Sequence, residues 1–246
     1  MLRAITFDLW DTLVVDDSDE AVRASRGLPS KAEARRQAFV GYATARGVDT
    51  AAAEAALEAA NARFKHQWKV EHVTPHIGDR LLDGLREVGL AADAGFEGLV
   101  TTFARMEVDL PPRLAPGARE VLEALHGSYR LGIVSDAIVT PGAQLREILA
   151  GYDLLRFFDV TVFSDEAGAS KPDPRVFHVA AAGLGVDVTE IAHIGDRDAN
   201  DIAGPHAAGA KGVLYTGVVD RGASPTADAV CTHHDDLPAI LAALGA

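Results

Sequence analysis

Ala4-Ile5-Thr6-Phe7-Asp8-Leu9-Trp10-Asp11-Thr12-Leu13 lies near the start of the chain, and its reading decides the fold. Residues 4–9 form an apolar run without polar alternation, which predicts a short strand buried on both faces. The run delivers a carboxylate, Asp8, at its end. Five later runs repeat the pattern: Leu131–Ser135, Val160–Ser164, Ile191–Ile194, Lys211–Tyr215 and Asp228–Cys231. Helical patterns lie between them. Pro116 predicts a helix start, followed by a stripe of Val121, Leu122 and Leu125 and a stop at Gly127. Thr140-Pro141 opens a second, with Leu145, Ile148 and Leu149 on one face. Asp173-Pro174 and Pro238 open two more. Strands alternating with helices predict an α/β fold, a doubly wound parallel sheet.

From about residue 18 to 110 the pattern changes, and no strand is expected. Ser30 and Glu33 fit a capping box ahead of a helix running to Gly47. Residues 49–70 are alanine-rich and strongly helical. Thr74-Pro75 opens a third helix ending near Gly89, and Phe96, Leu99, Val100 and Phe103 mark a fourth. The Pro-rich stretch 109–117 forms the exit. The expected organisation is an α/β core, residues 1–15 plus 112–246, interrupted by a helical bundle, residues 16–111, with hinges near 14–20 and 109–116.

Composition narrows the function classes. The 246 residues are 48% hydrophobic and 24% charged, a globular balance, and the net charge is −13. Such a chain repels nucleic acid and anionic lipid, and no long Lys/Arg run offsets the excess of acids, so neither partner is expected. Cys231 is the single cysteine, which rules out an internal disulfide and a Cys-rich zinc site. Asp8 and Asp11 interrupt the first apolar stretch, so a secretory signal is not expected. No run of about 18 apolar residues predicts a spanning helix. The expectation is a cytoplasmic protein, monomeric or homodimeric.

Four motifs stand at expected strand ends, the edge where open α/β sheets bind ligands. They are Phe7–Leu13, Ile133-Val134-Ser135-Asp136, Ser170-Lys171-Pro172-Asp173-Pro174, and His193-Ile194-Gly195-Asp196-Arg197-Asp198-Ala199-Asn200-Asp201. In order and spacing they resemble the haloacid dehalogenase superfamily, mostly Mg²⁺-dependent phosphatases with an aspartate nucleophile and a Rossmann-like core. The long segment between the first two motifs resembles that family's helical cap inserted after the first strand. The resemblance implies Asp8 as nucleophile, forming an aspartyl-phosphate with a small phosphorylated metabolite. It implies Mg²⁺ held by Asp8, Asp196 and the backbone carbonyl of Trp10. Asp201 joins the cluster as a direct ligand or through a water. Thr12, Ser135, Asp136 and Lys171 would surround the phosphate, with Ser135 and Lys171 assisting catalysis. The chemistry is consistent: a strand-end carboxylate can attack phosphorus, and Mg²⁺ takes hard oxygen ligands.

One position departs from the pattern. Most phosphatases of this kind carry a second Asp two residues after the nucleophile, which protonates the leaving oxygen and activates water. Here that position is Trp10, and indole can do neither. Acid–base help of this kind is worth about 10²–10⁴-fold. Asp11 and Asp136 are weak stand-ins. A phosphatase reading therefore implies a handicapped enzyme, a good leaving group, or a base from elsewhere. Two other readings stay open: a non-catalytic metal- or phosphate-binding relative, and a metal-free hydrolase of 2-haloacids, whose branch carries Tyr at this position. The three acids Asp196, Asp198 and Asp201 speak against that last branch, and bulky Trp10 fits poorly with the phosphonatase branch, despite Lys65 and Lys69. The basic segment Arg63, Lys65, His66, Trp68, Lys69, His72 and His76 reads either as a surface greeting an anionic substrate or as a solvated helix face. His233 and His234 read as loop surface. Pro205 is expected to kink or shorten the helix after Asp201.

Overall fold

The computed structural model describes residues 1–245. Six strands, β1 (Ala4–Phe7), β2 (Arg130–Ser135), β3 (Val160–Phe163), β4 (Ile191–Gly195), β5 (Lys211–Tyr215) and β6 (Ala229–Cys231), form one sheet in the order β3-β2-β1-β4-β5-β6. Every pairing is parallel. The expected doubly wound α/β core is therefore observed, with all six expected strands. The order reverses between β1 and β4, and the crevice outside the carboxyl ends of strands at such a reversal is the ligand-binding position of open α/β sheets. Asp8 follows β1 and Asp196 follows β4, so the topology alone places both at that crevice. The Asp8 N–H donates to the Ile194 carbonyl at 2.8 Å, extending the β1–β4 ladder to the reversal point.

The helices, in chain order, are α1 (Ser18–Ser25), α2 (Lys31–Thr44), α3 (Thr50–His66), α4 (Ile77–Glu87), α5 (Phe96–Asp109), α6 (Ala118–Leu125), α7 (Gly142–Gly151), α8 (Ser164–Ala167), α9 (Arg175–Leu184), α10 (Ala203–Ala208) and α11 (Leu237–Gly245). One face of the sheet is covered by α6, α7 and α11 through Leu122, Leu125, Leu145, Leu149 and Leu241, all packed with Ile5, Phe7 and Ile133. The other is covered largely by α9 through Val176, Phe177 and Ala180, packed with Val134 and Val162. Burial on both faces explains the unalternated runs. Each fully buried Leu or Phe side chain contributes about 1.5–3 kcal/mol.

Residues between β1 and β2 form α1 to α5 before α6 returns to the sheet. Phe39, Leu57, Leu81, Leu85, Leu99 and Phe103 make a separate apolar cluster there. Several local expectations need correction. The helix α1 begins inside the stretch expected to be a hinge and takes residues 18–20 of it. Ser30 caps α2 by accepting from the Glu33 N–H at 3.2 Å. The Glu33 carboxylate turns forward to Arg36 and Gln37, so the cap is single and not a box. Beyond α3 the chain makes a π-helical turn, Gln67–Glu71, stopped by His72 in the left-handed region. Pro116 lies outside α6, whose first residue is Ala118. Its carbonyl accepts from the His234 ring, which is buried and stacked on Tyr215, not on the surface. Pro205 is the third residue of the six-residue α10, which follows a π-helical turn at Asp198–Ile202. The helix after Asp201 is thus short and begins through an irregular turn, as a proline there favours. Among the described residues no helix is long and apolar enough to cross a membrane.

Candidate active site

The structure brings all four motifs to the sheet reversal. Lys171, from the loop after α8, reaches between two carboxylates. Its Nζ lies 2.8 Å from Asp8 Oδ1 and 2.6 Å from Asp201 Oδ1. All three groups are buried. Burial alone penalises the ammonium, yet Asp201, Asp8 and Asp136 outweigh it and hold Lys171 above its usual range.

Asp201 is fully engaged. Its Oδ1 also meets His193 Nε2 at 3.2 Å, and its Oδ2 accepts from the Arg197 N–H at 2.9 Å. Burial opposes its charge, but Lys171 and His193 hold its carboxyl well below the usual range. Desolvation lowers the His193 pKa and so favours the neutral ring. A neutral ring donating from Nε2 to Asp201 accepts at Nδ1 from the Thr6 hydroxyl, 2.9 Å away. Gly195 is required here for space, since a Cβ would come within 2.3 Å of the Asp201 side chain. His193 was missed in the sequence. The available signal was a polar residue inside a strand buried on both faces.

Asp196 is almost fully buried, and its Oδ2 is held by Arg221 Nε. The same guanidinium reaches Asp11 Oδ2 at 2.5 Å, and Asp11 Oδ1 accepts from the Asp16 N–H at 3.0 Å. Arg221 lies between β5 and β6, 210 residues from Asp11, and nothing in its local sequence announces the contact. Burial and the neighbouring Asp8 push the Asp196 carboxyl up to about 6, against the pull of Arg221.

The structure supports room for a cation. One carboxylate oxygen from each of Asp8, Asp196 and Asp201 lies within 4.8 Å of the others. Asp196 Oδ1 is buried and has no hydrogen-bond partner. Buried, convergent carboxylate oxygens with an acceptor left over match the needs of a hard divalent ion. Because both Asp201 oxygens are already taken, Asp8 and Asp196 are the carboxylates suited to direct contact. Thr12 Oγ1 and Ser135 Oγ are likewise buried without partners.

Asp136 bridges two regions. Its Oδ1 accepts from the Lys171 N–H at 3.0 Å and its Oδ2 from Trp68 Nε1 at 2.9 Å. Burial pushes its carboxyl up to about 6, with Lys171 opposing. A cleft of about 200 Å³ opens above this arrangement. Asp8, Trp10, Asp136, Lys171, Arg197 and Asn200 line its sheet side. Lys31, Arg35, Trp68 and Glu107 line its helical side, with Ile138, Val139 and Thr140 between. Thr12, Ser135, Asp196 and Asp201 are not among the lining residues. Of the basic segment 63–76 only Trp68 reaches the cleft. Arg63 is paired with Asp83 and Glu87, and Lys65 and Lys69 are exposed. The cations of the helical wall come from α2 instead.

The family model for haloacid dehalogenase-like hydrolases matches residues 2–209. The chain belongs to this family. Within it, the chain is 31% identical over 237 residues to a phosphoserine phosphatase of Thermus thermophilus, covering 91% of each chain. Two solved haloacid dehalogenase-like structures share the fold. A 2-haloacid dehalogenase from Pseudomonas syringae pv. Tomato superposes with a TM-score of 0.70 at 24% identity, covering 99% of this chain and 100% of that one. A HAD phosphatase from Thermococcus onnurineus superposes with a TM-score of 0.65 at 22% identity, covering 98% of each.

Proposed function

We propose that this hydrolase is a Mg²⁺-dependent phosphatase acting on a small phosphomonoester through an aspartyl-phosphate on Asp8. The observation that carries the reading is the cluster itself: Asp8, Asp196 and Asp201 converge within 4.8 Å, with Lys171 Nζ 2.8 Å from Asp8 Oδ1. A metal-free reaction has no use for so many buried acids, which repel one another in a low-dielectric site. The phosphatase name of the Thermus relative supports the same chemistry.

In this reading Asp8, Asp196 and the Trp10 carbonyl hold Mg²⁺, which supplies positive charge against the phosphate and the attacking carboxylate. Asp201 acts from behind, fixing Lys171. Lys171 offsets the charge of Asp8 and of the incoming phosphate, and the free hydroxyls of Ser135 and Thr12 donate to phosphoryl oxygens. Asp136 orients Lys171 through its backbone N–H. Phosphoryl transfer depends mainly on such positioning and charge stabilisation. Residues 16–111 serve as a cap over the core, residues 1–15 plus 112–246. The protein acts in the cytoplasm as a monomer or homodimer.

The test is hydrolysis of p-nitrophenyl phosphate with and without Mg²⁺. Turnover that requires Mg²⁺ and disappears in Asp8→Asn is expected. Metal-independent halide release from 2-haloacids, with no phosphate release, would replace this reading by the dehalogenase one. Binding of Mg²⁺ and phosphate without turnover would leave a non-catalytic relative.

A further inference from the structure

Release of an alkyl alcohol asks for a proton that Trp10 cannot give, so the carboxyl groups facing the cleft decide what this chain can do. Among the described residues five line it: Asp8, Asp16, Asp17, Glu107 and Asp136. Four of them are committed. Asp8 meets Lys171 and serves as the nucleophile. Asp17 pairs with Lys31 at 3.0 Å. Glu107 Oε1 holds Lys31 at 2.9 Å and its Oε2 takes the Thr140 hydroxyl. Both Asp136 oxygens accept from N–H donors, which leaves neither free to carry a proton toward a substrate. Asp16 is different. It forms no ion pair, and the one hydrogen bond its carboxylate accepts runs from the Asp17 N–H to Oδ1 at 2.9 Å, so Oδ2 stays open.

We infer that Asp16 is the general acid and base of the reaction, handing a proton to the leaving oxygen and later taking one from the attacking water. This rests on the phosphatase reading and deepens it. Placement supports the role. Asp16 lies on the segment leading from β1 into α1, and its backbone is held from the core. The Val15 N–H donates to the Arg113 carbonyl at 2.9 Å, and the Asp16 N–H to Asp11 Oδ1 at 3.0 Å. Asp11 is bound by Arg221, which also holds Asp196, so two side chains tie Asp16 to the acid cluster. The cleft is about 200 Å³, so a small ester with its phosphorus at Asp8 has its leaving group among the other lining residues, Asp16 included. The Asp16 side chain is open to the solvent of the cleft, yet the surrounding walls still desolvate it. That desolvation, then Asp17, pushes its carboxyl up to about 6, with Lys31 opposing and Asp11 and Glu107 adding to the rise. Acid–base groups work best with a pKa near the working pH, whereas an ordinary aspartate, about 3.9, holds almost no proton at neutrality.

The chemistry balances. An Asp8 oxygen bonds to phosphorus as the bond from phosphorus to the alcohol oxygen breaks. The electron pair leaves on that oxygen, which takes the Asp16 proton, so an alcohol departs and Asp16 becomes a carboxylate. Water then bonds to phosphorus through its oxygen and gives a proton to Asp16. The Asp8–phosphorus bond breaks with its pair returning to the Asp8 carboxylate. Asp16 ends protonated, as it began, and the sum is ester plus water to alcohol plus phosphate.

The test compares ethyl phosphate with p-nitrophenyl phosphate, under Mg²⁺, in the unaltered protein and in Asp16→Asn. The hydroxyl of ethanol is close to bulk water, with a pKa of about 16, so its oxygen needs the proton to leave. A p-nitrophenolate leaves as a stable anion without one. Asp16→Asn is therefore expected to lower kcat/KM for ethyl phosphate by about 10²–10⁴-fold and to leave kcat/KM for the nitrophenyl ester nearly unchanged. Its kcat on the nitrophenyl ester should still fall, with a burst of p-nitrophenolate ahead of phosphate, because the water step has lost its base. A residue of merely structural importance would lower both esters alike. Equal losses on the two esters, or no loss on either, overturn the inference and leave the phosphatase reading intact, as does an unaltered protein that turns over the nitrophenyl ester alone. Absence of turnover by the unaltered protein on every phosphate ester defeats both.

Discussion

Each wall of the cleft is organised by one buried lysine, and the two lysines differ in what they leave unsatisfied. On the sheet wall Lys171 gathers Asp8 and Asp201, the first just after β1 and the second just after β4, while Asp196 Oδ1, Ser135 Oγ and Thr12 Oγ1 remain without partners. On the helical wall Lys31 Nζ meets Asp17 Oδ1 and Asp19 Oδ1 at 3.0 Å each and Glu107 Oε1 at 2.9 Å, and Thr140 completes Glu107, while Asp19 Oδ2 and Arg35 Nε are the atoms left without partners. Buried polar atoms left unpaired in a native fold call for an explanation, such as a water, an ion or a catalytic role, and on the sheet wall they are two hydroxyls and a carboxylate oxygen side by side with the acid cluster. The sheet wall is thus set to receive an anion and a cation. The helical wall is a ionic tie that joins α1, α2 and α5 to the loop after β2 at Thr140.

Three perturbations sharpen the contrast. Lys171→Met strands two buried carboxylates, so a loss of about 3–5 kcal/mol is expected by denaturant unfolding, the cost of breaking a buried pair from one side. Phosphate should then no longer raise Tm, because the anion has lost its cation. Lys31→Met strands Asp19 and Glu107, but its third partner, Asp17, is solvent-exposed. The loss is expected near the lower end, about 3 kcal/mol, with the phosphate-induced Tm rise retained. Equal loss of that rise in both variants would remove the distinction between the walls.

The smallest effect is on pH dependence. Burial pushes the Glu107 carboxyl up, but Lys31 and Arg35 together bring it below its usual range. Its contribution to stability is therefore complete above the unfolded glutamate value of about 4.3 and is lost as pH falls through the lower folded value. Lys31→Met should shrink this acid-side loss in stability measured between pH 5 and pH 3 (roughly the window set by that value). An unchanged acid limb would show that Lys31 does not govern Glu107.

The contrast between the walls also explains what could be read in the sequence. The sheet wall was legible because each of its groups follows a strand: an apolar run followed by Asp8, Ser135-Asp136 or Gly195-Asp196 fixes position through topology. The helical wall was not. Lys31, Asp19 and Glu107 are up to 88 positions apart on helices whose relative packing no local pattern specifies. Ser30 and Glu33 have the residue types of a capping box, yet Arg36 and Gln37 compete successfully for the Glu33 carboxylate. The basic segment 63–76 reads either as a surface for an anionic substrate or as a solvated helix face, and Asp83 and Glu87 on α4, which neutralise its arginine, favour the second. Trp68 reaches Asp136 from the π-helical turn after α3, a distortion that composition does not announce. Arg221 was invisible for the same reason, since a loop position near the end of the chain meets Asp11 only through the folded sheet.

Calorimetric titration of Mg²⁺ into the purified protein tests the central claim most directly, because it needs no substrate. The account predicts one Mg²⁺ bound per chain, with binding lost in Asp196→Asn and strengthened by inorganic phosphate. Absence of Mg²⁺ binding, or binding that Asp196→Asn leaves untouched, would contradict it.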